Sequence, residues 1–186
     1  DADCIFFTGG DQSRIVDIIG DTPVHDIIFN RLKNEKIVLS GTSAGAMSMS
    51  EEMIMGGSSI ECLTKGSVKM RNGMGYIPSM IIDSHFVNRG RFGRLAEAVA
   101  RFPQLIGVGL AEDTGLIIKN EEFKVIGSGM VIVFDPSNLS HNNYGILDDG
   151  LPMSMTDLTT HILADGDCFY MDKRTIKVYP VEEYIS

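Results

Sequence analysis

Lys36-Ile37-Val38-Leu39-Ser40-Gly41-Thr42-Ser43-Ala44-Gly45-Ala46 is the stretch on which the fold turns. It begins as an apolar run of strand length, passes through small residues that suit a tight turn, and continues into a small-residue segment expected to be helical. Strand, turn and helix in that order are the pattern of a parallel α/β sheet. Within the stretch, Gly41-Thr42-Ser43-Ala44-Gly45 fits G-x-S-x-G, in which small neighbours let a sharp strand-to-helix turn expose a serine hydroxyl at the edge of the sheet. Small residues also fill tight turns for steric reasons alone, so the pentapeptide by itself is weak. The strand before it and the helix after it favour a nucleophile. A helix beginning at Ala44 would offer backbone N–H groups to an oxyanion.

Working outward, residues 4–8 read as a buried strand closed by Gly9-Gly10. Residues 12–20 and 22–33 read as helices, the second with Thr22 as N-cap and Pro23 at the first helical position. Downstream, residues 56–75 are rich in Gly, Ser and Lys and weakly periodic, and read as a long irregular loop. Residues 80–83 form a strand followed by Ser84-His85-Phe86. Phe92, Leu95, Ala96, Val99 and Phe102 recur at helical spacing, which predicts an amphipathic helix over 89–102 stopped by Pro103. Beyond it, residues 105–110, 115–119, 123–126, 131–134, 158–163 and 176–179 read as short strands, several antiparallel. No repeat or linker divides the chain, so a single domain is expected. The fold class is α/β, a mostly parallel sheet flanked by helices with short antiparallel strands in its C-terminal part.

At 186 residues, 44% hydrophobic and 22% charged, the chain can bury a real core. Sixteen Lys and Arg against 25 Asp and Glu give a net charge of -9, which excludes a whole-chain electrostatic footprint for nucleic acid or an anionic membrane. No apolar run approaches the ~20 residues a membrane-crossing helix needs. Cys4, Cys62 and Cys168 are odd in number and fit no metal spacing, so they read as reduced thiols packed as small hydrophobes, and neither a disulfide framework nor a metal or other cofactor is expected. The chain runs from Asp1-Ala2-Asp3 straight into an apolar strand, without initiator Met or signal peptide, so the true N-terminus is expected to lie upstream. The expected location is cytoplasmic.

A serine nucleophile needs a base. Of His25, His85, His141 and His161, only His85 lies just past the carboxyl end of an expected parallel strand, where open α/β sheets place their sites. The others read as surface or packing residues. The acid that would orient the imidazole is open among Glu51, Glu52, Glu61, Asp83 and Asp113. Asp83 would share a face with His85 if the segment is extended. Arg89, Arg91 and Arg94 form a local basic cluster in an acidic chain, and their crowding favours binding of substrate carboxylates, or pairing with acids of the site, over a solvated helix face.

Taken in order, Phe7-Thr8-Gly9-Gly10-Asp11-Gln12, Gly41-Thr42-Ser43-Ala44-Gly45-Ala46, Met53-Ile54-Met55-Gly56-Gly57-Ser58-Ser59, Asp83-Ser84-His85-Phe86 with Arg89, Arg91, Arg94 and Leu95, Glu112-Asp113-Thr114 and Val125-Ile126-Gly127 resemble the cyanophycinase family over almost the whole chain. The resemblance implies a serine exopeptidase on a fold like class I glutamine amidotransferases, without a metal, with relatives among aspartyl dipeptidases, and, because the family begins with further strands, a single domain lacking its N-terminal strands. Its substrate would be cyanophycin, a poly-aspartate bearing arginine on its side chains, cleaved to β-aspartyl-arginine dipeptides. By motif, Ser43 matches the nucleophile, His85 the base and Glu61 the triad acid. Gln12, Asp83, Arg89, Arg91 and Arg94 match residues of the substrate pocket, and Gly10 and Ala44 would supply oxyanion N–H groups. A homodimer is the expected assembly. The alternatives are a peptidase for short aspartyl or isoaspartyl peptides, and an inactive amidotransferase-like binding domain that keeps the serine turn for structural reasons.

Overall fold

In the computed structural model of the chain, which describes residues 2–57 and 63–179, the first two strands are a parallel pair. β1 (Cys4–Phe7) lies beside β2 (Val38–Gly41), with Phe7 opposite Gly41. Parallel neighbours need a long crossover, and α1 (Gln12–Ile19) and α2 (Pro23–Asn34) provide it. α1 starts where it does because the Asp11 carboxylate accepts the N–H groups of Ser13 and Arg14 at 2.8 and 3.2 Å. α2 starts where the Thr22 hydroxyl accepts the His25 N–H at 3.3 Å, with Pro23 in the one turn that tolerates it.

β2 passes directly into α3 (Ala44–Met47), a single turn. The glycines on either side of Ser43, Gly41 and Gly45, are a packing requirement. A Cβ on Gly45 would stand 2.1 Å from the Phe7 carbonyl oxygen, and one on Gly41 would stand 2.7 Å from the Gly45 carbonyl carbon. Without side chains at both positions, the turn of helix settles onto the ends of β1 and β2. The same spacing that fits a nucleophile motif is thus what close approach of helix and strands demands.

The next two strands, β3 (Glu52–Gly57) and β4 (Val68–Asn72), form an antiparallel ribbon whose register shifts between Ile54 and Gly56. β4 lies inside the stretch expected to be an irregular loop. Only Val68 of its five residues is buried, so the ribbon carries almost no hydrophobic alternation for a sequence reading to find.

β5 (Met80–Asp83) is parallel to β6 (Ile106–Leu110), Asp83 opposite Gly109, with α4 (Phe92–Arg101) as the crossover. Gly107 and Gly109 leave one face of β6 bare. A Cβ at Gly107 would meet Leu95 and Val99, and one at Gly109 would stand 2.4 Å from the Phe86 ring, so α4 and the turn carrying Phe86 lie directly on the strand. From β6 the chain makes β7 (Thr114–Lys119), β8 (Glu122–Gly127) and β9 (Val131–Asp135), which returns antiparallel to β6. A short pair, β10 (His141–Asn142) with β11 (Met155–Thr156), precedes β12 (Thr159–Leu163), which flanks β9. β13 (Cys168–Tyr170) and β14 (Thr175–Lys177) join β7 and β8 in a second four-stranded sheet.

The class is mixed α/β. Among the described residues the parallel pairings are β1–β2 and β5–β6, and the remaining pairings between named strands are antiparallel, so the sheets are not mostly parallel. The reason lies in the connections. Helical crossovers join the parallel pairs, whereas short turns such as Asn120-Glu121 between β7 and β8 can only return a strand antiparallel. The cysteines do not pack as expected: Cys4 is exposed and Cys168 partly exposed, both free, and Cys62 lies outside the described residues.

Candidate active site

Both serine and histidine of the site sit on backbone that ordinary residues avoid. Ser43, between β2 and α3, has φ 52° and ψ -117°, and His85, just past β5, has φ 50°. The serine turn is held by Thr42 N–H on Phe7 O at 3.0 Å and Met47 N–H on Ser43 O at 3.0 Å. The histidine turn is held by Phe86 N–H on Leu110 O, also at 3.0 Å, and by the fully buried Phe86 ring, whose centroid is 4.7 Å from that of Phe92.

These turns bring Ser43 Oγ to 2.9 Å from His85 Nε2. On the far side of the ring, His85 Nδ1 is 3.0 Å from Glu112 Oε1. The arrangement fixes the tautomer, because an ionised carboxylate can only accept. Nδ1 then carries the proton, and Nε2 is the acceptor for the serine hydroxyl. The hydrogen bond from His85 holds the Glu112 carboxyl below the usual carboxylate range, against an opposing pull from desolvation, and Asn88 contributes in the same direction. Ser43, His85 and Glu112 line one cleft of about 880 Å³ whose other walls are largely apolar, among them Leu39, Ile82, Leu116 and Ile126. The imidazole and the carboxylate are each about one-third exposed, so the relay is reachable from that cleft.

Glu112 is absent from the acids considered in the sequence, and Glu61, matched to the triad acid by resemblance, lies outside the described residues. Because β5 and β6 are parallel neighbours in the register Asp83 opposite Gly109, the residues just beyond their carboxyl ends face one another, and Glu112 stands there beside His85. Asp113, which was considered, is exposed and has left-handed backbone of its own, φ 53°.

Asp83, Arg91 and Arg94, matched to the substrate pocket by resemblance, are brought together as an ion-paired cluster with little exposed surface. Asp83 has no exposed side-chain surface and Arg94 about 5%, and they meet each other: Arg94 Nε donates to Asp83 Oδ2 at 2.8 Å and Arg94 Nη2 donates to Asp83 Oδ1. Arg91 Nη1 donates to Asp83 Oδ1 at 3.1 Å and to the Ser84 carbonyl at 2.6 Å. Burial lowers the Arg91 pKa and Asp83 opposes the change. Nor does Asp83 serve His85, since the left-handed residue between β5 and the next turn breaks the alternation that would have put them on one face. Arg89 is exposed.

Gln12 spends its amide donors on the backbone, giving hydrogen bonds of 3.0 Å to both Ile54 O and Met55 O, and so ties the start of α1 to β3. The Gly9-Gly10 turn lies against Ser43, since a Cβ on Gly9 would be 3.6 Å from Ser43 Cβ, and Gly10 has φ 136°. Ala44 follows Ser43 as the first residue of α3, where N–H groups lack intrahelical partners. His25 packs against Tyr76 and reaches Met74 O at 2.7 Å, and His161 lies in β12 against Phe169. His141, in β10, is exposed. Among the described residues no cluster of His, Cys, Asp and Glu is arranged to hold a metal ion.

Comparison with known proteins adds the following. The family model described as peptidase family S51 matches residues 1–126. The cyanophycinase of Trichormus variabilis (strain ATCC 29413 / PCC 7937) is 42% identical over 173 residues, which are 92% of this chain and 58% of that protein. The cyanophycinase of Geminocystis herdmanii (strain PCC 6308) is 42% identical over 164 residues, 88% of this chain and 60% of that one. The chain thus spans somewhat more than half the length of the curated relatives it matches. A crystal structure of a peptidase from an acI-B1 Actinobacterium shares the fold with a TM-score of 0.54 at 23% identity, over 87% of this chain and 59% of that one.

Proposed function

The chain belongs to peptidase family S51, and from that premise we propose that it is a serine peptidase that hydrolyses cyanophycin to β-aspartyl-arginine dipeptides, with Ser43, His85 and Glu112 as its relay. The observation that carries this reading is the unbroken contact from Ser43 Oγ through both ring nitrogens of His85 to Glu112 Oε1. Ser43 Oγ attacks the aspartyl backbone carbonyl carbon as its proton passes to His85 Nε2. Collapse of the tetrahedral adduct breaks the C–N bond, and the same proton leaves on the amine. Water, deprotonated by His85, then cleaves the Ser43 ester and regenerates the hydroxyl. Glu112 holds the imidazole by Nδ1 and stabilises its charged form. The N–H groups of Ala44 and Gly10 receive the oxyanion, and exposed Arg89 is the cation offered to substrate carboxylates.

A fold like that of class I glutamine amidotransferases belongs to the same proposal. It is supported by the two parallel pairs and the strand, turn and helix around Ser43. The test is incubation with cyanophycin and with a panel of aspartyl and isoaspartyl dipeptides, products read by mass. Release of β-aspartyl-arginine from the polymer is expected. Turnover of the dipeptides alone would replace polymer by short peptides as substrate, and Ser43 that resists a fluorophosphonate would favour a binding domain.

A further inference from the structure

Arg91 brackets His85 from both sides. Its backbone N–H donates to the carbonyl of Phe86, the residue after the histidine, at 3.0 Å. Its guanidinium donates to the carbonyl of Ser84, the residue before, at 2.6 Å. The same Nη1 also reaches Asp83 Oδ1 at 3.1 Å, and Asp83 is locked at the end of β5 by two contacts from Arg94 of α4. What lies between these fixed points is a histidine at φ 50°, backbone that persists only where the surroundings over-determine it. The Ser84 carbonyl belongs to the peptide plane that enters His85. A guanidinium seated on that oxygen and anchored to Asp83 resists rotation of the plane, and so fixes the direction in which the imidazole leaves the chain. The Arg91 side chain is 13% exposed, which leaves it little surface to offer a substrate.

We propose that Arg91 is a positioning residue that braces the His85 turn against Asp83, rather than a group that binds substrate carboxylates. The role rests on the relay of Ser43, His85 and Glu112 proposed above, because it holds Nε2 toward Ser43 and Nδ1 toward Glu112 at once.

A fluorophosphonate ester separates bracing from binding. It is uncharged and carries no carboxylate, yet its reaction with Ser43, which forms the Oγ–P bond and expels fluoride, needs the imidazole in place. Labelling rates and cyanophycin kinetics are measured for the parent, Arg91→Gln, Arg91→Lys and Ser43→Ala, with thermal melts of each. If Arg91 braces His85, labelling of Arg91→Gln falls at least tenfold, kcat falls in parallel and KM stays within about twofold. Arg91→Lys recovers part of both, since one ammonium can still reach the Ser84 carbonyl. Labelling at the parental rate with a lowered kcat/KM would overturn the proposal and return Arg91 to the substrate. Loss of cooperative melting in both Arg91 variants would also overturn it, making the residue a requirement of folding. Failure of the relay itself looks different: the parent is then unlabelled, or labelled no faster than Ser43→Ala, and the bracing role falls with it.

Discussion

Ser43 and His85 show how a single residue can combine a proposed chemical role with the backbone strain that presents it. Ser43→Ala or His85→Ala should lower kcat by on the order of 10³ or more, with the double variant no worse than the poorer single one, because the two act as a unit. Glu112→Gln should be severe as well, since an amide can present its N–H to Nδ1 and favour the wrong tautomer. Steady-state kinetics would decide the acid: a mild Glu112→Gln beside a crippling Glu61→Gln would move the role to Glu61. The backbone of Ser43, at φ 52° and ψ -117°, adds a stability test. Strain of this kind costs about 1–3 kcal/mol in a non-glycine residue, whereas glycine adopts it freely at an entropic cost of about 0.5–1 kcal/mol. Ser43→Gly should therefore be inactive yet more stable than Ser43→Ala by about 1 kcal/mol in urea denaturation. A less stable glycine variant would mean that the turn is not strained. The contact of Ser43 with His85 was legible in the sequence because strand ends mark both positions. Glu112 was not, because its contact with His85 depends on the pairing of β5 with β6, a register no local pattern encodes.

Among the elements, those marked by capping side chains or by an apolar run could be read, and those defined only by pairing could not. Asp11 and Thr22 announce α1 and α2 by capping chemistry, and the apolar stripe of α4 announces its buried face. β4 has no such mark, and its position is held from a distance. Glu97, on α4 and 1% exposed, accepts the N–H groups of Gly66 and Val68 through Oε1 at 2.9 and 3.2 Å. One buried carboxylate thereby fastens the entry to β4 onto the helix that also carries Arg94. Glu97→Ala strands two backbone donors and should destabilise by about 2–4 kcal/mol, whereas Glu97→Gln keeps the accepting oxygen and should recover most of that. Denaturation midpoints with unchanged m-values would check the difference. Equal losses in both variants would show that the carboxylate's charge, not its acceptor oxygen, holds the strand.

Across the molecule, two groups that line the cleft shape the dependence of stability on pH at its two ends. Glu112 is held below the ordinary carboxylate range chiefly by the hydrogen bond from His85. A depressed folded pKa contributes stability above the unfolded value, near ~4.3 for Glu, and that contribution disappears as pH falls through the folded value. Tyr76, in the chain between β4 and β5, also lines the cleft and is stacked with Phe7 at 6.1 Å and tilted against His25 at 5.2 Å. Its hydroxyl is buried without a hydrogen-bond partner among the described residues, and burial, helped by Asp26, pushes its pKa up to about 12. The sign is opposite to that of Glu112. The unfolded chain releases the phenolic proton near pH ~10, the folded chain only near about 12, so stability is full below the first value and is lost as pH rises toward the second. Tyr76→Phe deletes both the titration and the orphan hydroxyl. Its unfolding free energy should match or exceed that of the parent at pH 7 and should decline less between pH 10 and pH 12. Parallel curves for parent and Tyr76→Phe across that window would show that the hydroxyl finds a partner in the folded protein, and would remove Tyr76 from the alkaline limb.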